Sequence, residues 1–556
     1  MKASDLFIKC LEAEGVKYIF GMPGEETNDL MISLLDSKKI EFILVRHEQA
    51  AAFMADVYGR LTQKVGVCLS TLGPGATNLT TGVANANMDR SPILAITGQT
   101  DTDVLHKESH QNMDVIRMFK PITKWNWSIR NADNIPEIIR RAFKISLEEK
   151  AGAVHLELPK DIAKEKSEIR PIRTQKFLRS RPNQELVKSA AKLICMSRMP
   201  VLLVGNGCIR GNASSHLRRF VEKTRIYSMN TFMAKGVISD RSKRHLQTIG
   251  IKEADHAQVA MKEADVVIAV GYDLVEYSPK NWNGDLKKKI VHIDFTPAEV
   301  DTYYPPTIEI AADIGYTIDA ILEEVERKGK KLNPNMEYVS WSSDPALLKQ
   351  VKQEVVWRIE RHKDDYSYPI RPEKLISDVR SVLDDRDIII SDVGVHKLWI
   401  AKVYSTYKPN TCIITNGFCS MGFALPGAIA AQLARPRQKV VAMCGDGGFL
   451  MNLQELETAV RLSLPVIIIV WCDSDLGMIS LKQIEEFGKS AFTKFSNPDF
   501  VKLADSFGAH GYDVKSSRDL PSLLKKAKES THIPVVISVK IDYSRNRMLL
   551  DDSFSG

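Results

Sequence analysis

At 556 residues the chain is too long for one hydrophobic core, because cores stop growing near ~250–300 residues and longer chains divide into domains. A composition of 44 % hydrophobic and 26 % charged residues belongs to an ordinary globular protein and excludes collagen-like, repetitive and compositionally disordered classes. The net charge of +7, from 76 basic against 69 acidic residues, is small for this length and gives only a weak preference for anionic substrates.

The amino terminus, MKASDLFIKCLEAEGVKYIF, is charged throughout its first turns. No apolar run approaches the roughly 18 residues of a membrane span, so no membrane partner is expected and a cytoplasmic enzyme is the default. Short apolar runs then alternate with helical patterns over the first ~165 residues: Lys17–Phe20, Glu41–Val45, Gly66–Ser70, Ile93–Thr97 and Val154–Leu158 read as strands. Such alternation predicts a parallel sheet wrapped by helices, with ligand loops at the carboxyl ends of the strands. Residues 164–186 carry many charges and two prolines without apolar periodicity, and read as a linker.

A second α/β unit follows, with strands at Pro200–Val204, Ile226–Met229, Asp265–Val270 and Lys289–Ile293. A polar stretch, Arg327–Ser343, reads as a second linker before a third unit that begins near Pro369. Its strands fall at Asp387–Ser391, Cys412–Thr415, Lys439–Met443, Val466–Trp471 and Pro534–Val539. The expectation is an α/β protein of three domains with mostly parallel sheets, spanning 1–165, 187–328 and 365–556. The basic runs Arg327–Lys331 and Lys287–Lys289 lack interleaved aromatics and read as solvated surface, so no nucleic-acid partner is expected. Eight cysteines are scattered without any CxxC, several inside apolar runs, which argues against disulfides and thiolate metal sites.

The sharpest chemical signal lies in the third unit, where the apolar run KVVAMC leads into Gly445-Asp446-Gly447-Gly448 and an amphipathic helix is expected from about Asn452 to Arg461. Glycines let backbone approach a ligand closely, and amides at a helix start favour phosphate. Taken alone, such a turn is better read as an ordinary strand-to-helix connection. Asp473, 27 residues on, ends the next apolar strand in Cys472-Asp473-Ser474-Asp475-Leu476-Gly477-Met478. Two neighbouring parallel strands would deliver Asp446 and Asp473 to one edge, and carboxylates with a carbonyl and diphosphate oxygens make the hard octahedral environment that Mg²⁺ prefers; calcium or manganese could substitute.

These residues resemble the thiamine diphosphate enzymes, whose motif opens on GDG and closes on a pair containing Asn or Asp. The Cys-Asp ending departs from the common Asn-Asn form and is similar to the catabolic acetolactate synthases. The resemblance implies that Asp446 and Asp473 bind the metal through side chains and Asp475 through its carbonyl, with Gly445, Gly447, Gly448 and Met478 beside the cofactor. In the first unit, RHEQAAAFMADVYGR resembles the segment in which the family's glutamate contacts N1′ of the aminopyrimidine. Glu48 would exchange a proton there, favouring the imino tautomer that deprotonates the thiazolium. From that segment alone, a helix-capping carboxylate is the likelier reading.

Further segments agree in the same order: GMPG with Pro23, STLGPGATNL with Asn78, SDVGVHKLW with His396, and NGFCSMGFALPGA. By the resemblance, His396 is a candidate contact near the diphosphate, the Cys419 carbonyl meets the 4′-amino group, and Met421 props the two rings into their bent form. VGYDLVEYSPKNWN, IVHIDFTPAE and the terminal KIDYSRNRMLL also look like the catabolic type. The arginine and paired acids of the flavin-dependent synthases are missing, so FAD is not expected.

The region from His106 to Asp114 lacks the adjacent histidine pair of the pyruvate decarboxylase pattern and resembles the carboligating synthases, which places Gln111 near the reacting centre. Glyoxylate carboligase is disfavoured because it lacks the glutamate supplied by Glu48. The leading expectation is 2-acetolactate synthesis from two pyruvates in a homodimer or homotetramer. Glu25 and Glu26 stand where the catabolic synthases have small and basic residues. A different acceptor therefore stays open, as does a non-catalytic nucleotide-binding relative.

Overall fold

The computed structural model describes residues 1–175, 179–250, 256–332, 346–360 and 362–546. The last four residues of the KIDYSRNRMLL segment and most of the expected second linker lie outside the described residues.

Three six-stranded sheets carry the chain. The first comprises β1 (Tyr18–Gly21), β2 (Glu41–Leu44), β3 (Gly66–Ser70), β4 (Ile93–Gln99), β5 (Trp125–Ser128) and β6 (Ala153–Pro159), in the order β2-β1-β3-β4-β6-β5. The second comprises β7 (Pro200–Val204), β8 (Tyr227–Asn230), β9 (His245–Thr248), β10 (Val266–Val270), β11 (Lys289–Asp294) and β12 (Ile308–Ala311), in the order β12-β11-β10-β7-β8-β9. The third comprises β13 (Ile388–Ser391), β14 (Cys412–Ile414), β15 (Val440–Gly445), β16 (Ile467–Cys472), β17 (His510–Val514) and β18 (Val535–Lys540), in the order β14-β13-β15-β16-β18-β17. Every pairing within these sheets is parallel. Interior strands such as β7, β10 and β16 are covered on both faces, which is why they read as continuous Val, Ile and Leu runs.

The first and third sheets share one topology. In each, the chain leaves the first strand toward one edge and returns to build toward the other, so the loops after β1 and β3, and those after β13 and β15, diverge. Divergence opens a crevice at the carboxyl ends of those strands, the usual ligand position in open α/β sheets.

The two domains are joined through helices. Glu48–Thr62 and Gly73–Met88 of the first domain pack with Ala424–Ala434 of the third in one apolar cluster, where Phe53 meets Phe423 edge to face at 5.5 Å. Beside it, the Arg60 guanidinium donates to Asp56 at 2.7 Å, to Asp89 at 2.5 Å and to the Ile414 carbonyl at 3.1 Å. Asp89 in turn accepts from the Gly417 amide at 2.6 Å.

Four strands were not expected from the sequence: β5, β9, β12 and β17. All four are sheet edges, which need no continuous apolar run. β9 is buried but polar; His245 bridges Ser228 and Asn230. Of the expected second linker, residues 327–332 are described and are helical. Helix Ile314–Leu332 continues through Gly329, and helix Ala346–Glu360 packs against His256–Glu263 and β9. The helix expected from Asn452 is corrected. A short helix already opens at Asp446, breaks at Asn452, whose side chain donates to the Gly422 carbonyl, and resumes at Glu455. All eight cysteines are free, and no helix among the described residues is long and apolar enough to cross a membrane.

Candidate active site

The crevice of the first sheet lies between Met22–Glu26, after β1, and Thr71–Gly75, after β3. A Cβ at Gly24 would stand 2.3 Å from the Thr71 Cβ, so only glycine lets the two segments close. The Thr71 hydroxyl donates to Glu26 Oε2 at 2.6 Å. Gly73 has φ +48°, with the Gln111 carbonyl 2.7 Å from where its Cβ would be. Gln111 itself adopts φ +56° and is exposed, as is Pro23.

The carboxylate of Glu48 lies against Gly75, with Oε1 3.2 Å from that glycine's Cβ position. Glu48 opens helix Glu48–Thr62 and is 7 % exposed; Asn78 donates to its Oε2 at 2.9 Å. The turn that presents it is pinned to the third domain, since the Arg46 and His47 amides donate to Glu455 Oε1 at 2.9 and 3.1 Å. Burial pushes the Glu455 carboxyl up to about 7.

The matching crevice of the third sheet lies between Asp392–Gly394 and Gly445–Gly448. Asp446 Oδ2 accepts from the Ser474 amide at 2.8 Å, the Asp473 amide at 3.1 Å and the Asn497 side chain at 2.7 Å. Strands β15 and β16 thus bring Asp446 and Asp473 to one edge. Burial, then the neighbouring charges of Asp446 and Asp475, push the Asp473 carboxyl up to about 7. Met421 reaches to within 3.6 Å of the Cβ position of Gly447, and Gly448 lies against Asp392. Met478, at the start of helix Gly477–Phe487, is half-buried against the core.

Buried Asp392 ties the neighbouring loop down, accepting from the Gly422 amide at 3.0 Å and the Ala424 amide at 3.4 Å. Cys419, on the same loop, has φ +59°. Lys397 holds its side chain, the ammonium donating to Cys419 Sγ at 3.0 Å and to Asn416 Oδ1 at 2.9 Å. His396 stands behind Gly445, its ring beside Trp471 and its Nε2 buried without a partner; burial lowers its pKa to about 3.

This donor set suits a hard divalent cation. Two carboxylates crowd together, and the Asp475 Oδ1 and Asn497 Oδ1 atoms are buried without partners. Among the described residues no three His, Cys, Asp or Glu side chains come together as a set that could hold a metal ion by themselves. A cavity of about 1010 Å³ lies elsewhere, between all three domains, lined by Arg60, Asp89, Arg90, Asn206, Arg210 and Phe295 among others. Neither Glu48 nor Asp446 reaches it, so we take the two crevices, where the candidate chemistry lies, as the site.

Comparison with known proteins agrees. Residues 1–118 match the N-terminal TPP binding domain of thiamine pyrophosphate enzymes, 187–321 the central domain, and 392–539 the C-terminal TPP binding domain. An acetolactate synthase of Bacillus subtilis (strain 168) is 35 % identical over 99 % of this chain and 95 % of its own length. A probable acetolactate synthase large subunit of Methanocaldococcus jannaschii is 36 % identical over 98 % and 92 %. A catabolic acetolactate synthase of Raoultella terrigena is 32 % identical over 98 % and 96 %. This chain belongs to the acetolactate synthase family of thiamine pyrophosphate enzymes.

Within this family member, Glu48, Asn78 and the Gln111 backbone gather on the loop Thr71–Gly75. Gly445, Asp446, Gly447, Gly448, Asp473 and Asp475 lie at the crevice of the third sheet, with Met421 and His396 against its glycines, while Cys419 contacts Lys397 and Met478 packs on the core beside it. No hydrogen bond among the described residues joins the two groups. Sequence reasoning missed Asn497, Glu455, Asp392 and Lys397. Asn497 and Glu455 act on partners far away in sequence, with no local signal; Asp392, just past β13, and Lys397, in the helix Val395–Val403 that follows, lay inside the SDVGVHKLW segment as ordinary polar residues.

Proposed function

We propose that the chain decarboxylates one pyruvate and joins the remaining two-carbon unit to a second, giving 2-acetolactate and CO₂ with uptake of one proton. The observation that carries this reading is the presence of buried Glu48 at one crevice and of Asp446 with Asp473 at its topological equivalent, in a chain alike to acetolactate synthases over nearly its full length.

Thiamine diphosphate, when bound, supplies the carbon nucleophile and the electron sink for loss of CO₂. Glu48, steadied by Asn78, would hold and move a proton at pyrimidine N1′. The Cys419 carbonyl would accept from the 4′-amino group, and Met421 would support the rings. Asp446, Asp473 and the Asp475 carbonyl would hold Mg²⁺, with Gly445, Gly447 and Gly448 leaving room for the diphosphate and His396, Met478 and Pro23 at its margins. Gln111, whose backbone packs against Gly73 of the loop on which Glu48 rests, would face the second substrate.

Because the two groups belong to different crevices, the proposal includes a homodimer or homotetramer in which one chain's first domain faces its partner's third. The proposal includes no flavin, because the Val270–Tyr277 segment lacks the pattern of an arginine and paired acids that the flavin-dependent synthases carry. Free cysteines throughout suit a reducing compartment, which supports a cytoplasmic setting.

The test is product analysis with pyruvate, thiamine diphosphate and Mg²⁺. Acetolactate should form, and Glu48→Gln should lower turnover by about 10²–10⁴-fold with an unchanged circular dichroism spectrum. Acetaldehyde as sole product would remove the carboligase assignment.

A further inference from the structure

The crevice between β1 and β3 holds a charged side chain that the proposed chemistry leaves unused. Glu26, half-buried, spans it: its backbone follows β1 and its carboxylate accepts from the Thr71 hydroxyl across the gap at 2.6 Å. Three polar residues thereby meet alternate positions of one five-residue loop, Glu26 at Thr71, Gln111 at Gly73 and Glu48 at Gly75. Glu26 is thus part of the same rim as the groups assigned to the reacting centre.

The charge of that rim is negative. Lys160 is its base, donating to Glu25 at 2.9 Å, and it also feels Glu26 and Asp101. His110 faces Glu25 from the opposite segment. Asp101 Oδ1 is buried without a partner, Asp161 accepts from the Thr102 amide at 3.1 Å, and neither acid forms an ion pair among the described residues. Thr71, the hydrogen-bond partner of Glu26, is neutral and leaves its charge in place.

We propose that Glu26 determines acceptor choice, its carboxylate disfavouring an anionic 2-oxo acid as the second substrate and turning the site toward an uncharged aldehyde. This rests on the carboligase reading above. A second 2-oxo acid brings its own carboxylate to a rim where like charges several ångströms apart, in a partly buried setting, weaken binding on the order of tenfold or more. An aldehyde carries no such charge. With pyruvate as the only carbonyl compound, the second pyruvate still serves. With an aldehyde present, the donor's C1–C2 bond breaks to release CO₂, the donor C2 bonds to the aldehyde carbon, and the aldehyde oxygen takes one proton, giving a 2-hydroxyketone.

The experiment incubates the holoenzyme with pyruvate and propanal at equal concentration and measures CO₂, acetolactate and the mixed 2-hydroxyketone. The parent chain is expected to give mainly the hydroxyketone. Glu26→Gln keeps the shape and removes the charge, and should shift the product ratio toward acetolactate by about tenfold, mostly through a lower KM for pyruvate as acceptor. Glu26→Asp keeps the charge and should retain the parent ratio. Acetolactate as the main product of the parent chain overturns the inference whatever the variants do, as does an unmoved ratio in Glu26→Gln or an equal shift in Glu26→Asp. Absence of CO₂ release from pyruvate overturns the proposed function and this inference with it, whereas CO₂ release with the wrong product ratio overturns this inference alone.

Discussion

Asp473, which the proposal assigns to the metal, shows what a crowded buried carboxyl does to stability. In an unfolded chain its carboxyl titrates near ~3.9, whereas burial beside Asp446 and Asp475 raises it to about 7 in the fold. A carboxyl raised in this way favours the folded state below the unfolded value, and that contribution is lost as pH climbs through about 7. The metal-free protein should therefore lose thermal stability between about pH 4 and pH 7, and Asp473→Asn should flatten that slope. Because Glu455 and Glu276 are also pushed up to about 7, the comparison is between variant and parent by calorimetry. Adding Mg²⁺ with thiamine diphosphate should raise Tm more at the upper end of the range, where the metal no longer competes with protons. Identical slopes in variant and parent would show that Asp473 is not the group responsible.

At the scale of elements, the loop between β14 and helix Ala424–Ala434 is set from outside itself. Asp392, after β13, receives two of its amides, and burial raises the Asp392 carboxyl to about 6. Asp392→Ala leaves the Gly422 and Ala424 amides buried and unsatisfied, which should cost about 1–3 kcal/mol in denaturant unfolding and weaken thiamine diphosphate binding by displacing Met421. Asp392→Asn keeps one acceptor oxygen and should cost less; equal losses in both variants would argue against this account. The same scale explains which elements could be read in advance. Two-sided burial writes a continuous apolar run into β7, β10 and β16, while an edge strand such as β17, HGYDV, is half exposed and carries no such mark. Glu48 could be singled out only through the resemblance of its segment to the family's, because a glutamate opening a helix is by itself an ordinary cap; its burial became visible in the fold.

At the scale of the whole molecule, the first and third domains are held together by apolar packing around a charged cluster. Arg60 is surrounded by Asp56 and Asp89. Arg60→Met would leave both acids without their cation in a buried interface and should destabilise the protein by about 3–5 kcal/mol, seen as a lower urea midpoint. A second change, Asp89→Asn, should recover part of that loss; a single-variant cost below about 1 kcal/mol would mean that the cluster does not hold the domains.

The amino-acid sequence by itself determined the α/β class, the three-unit organisation, every interior strand and, by resemblance, the family to which the GDGG and RHEQ segments belong, because periodicity and short motifs are local properties of the chain. Only the tertiary structure decided that β13 and β15 repeat the crevice of β1 and β3, that Glu455 pins the turn before Glu48, that Asn497 closes on Asp446, and that Glu26 reaches Thr71. Those facts join residues tens to hundreds of positions apart, and strand order, hydrogen-bond partners and buried charge become definite only when distant segments share one sheet edge.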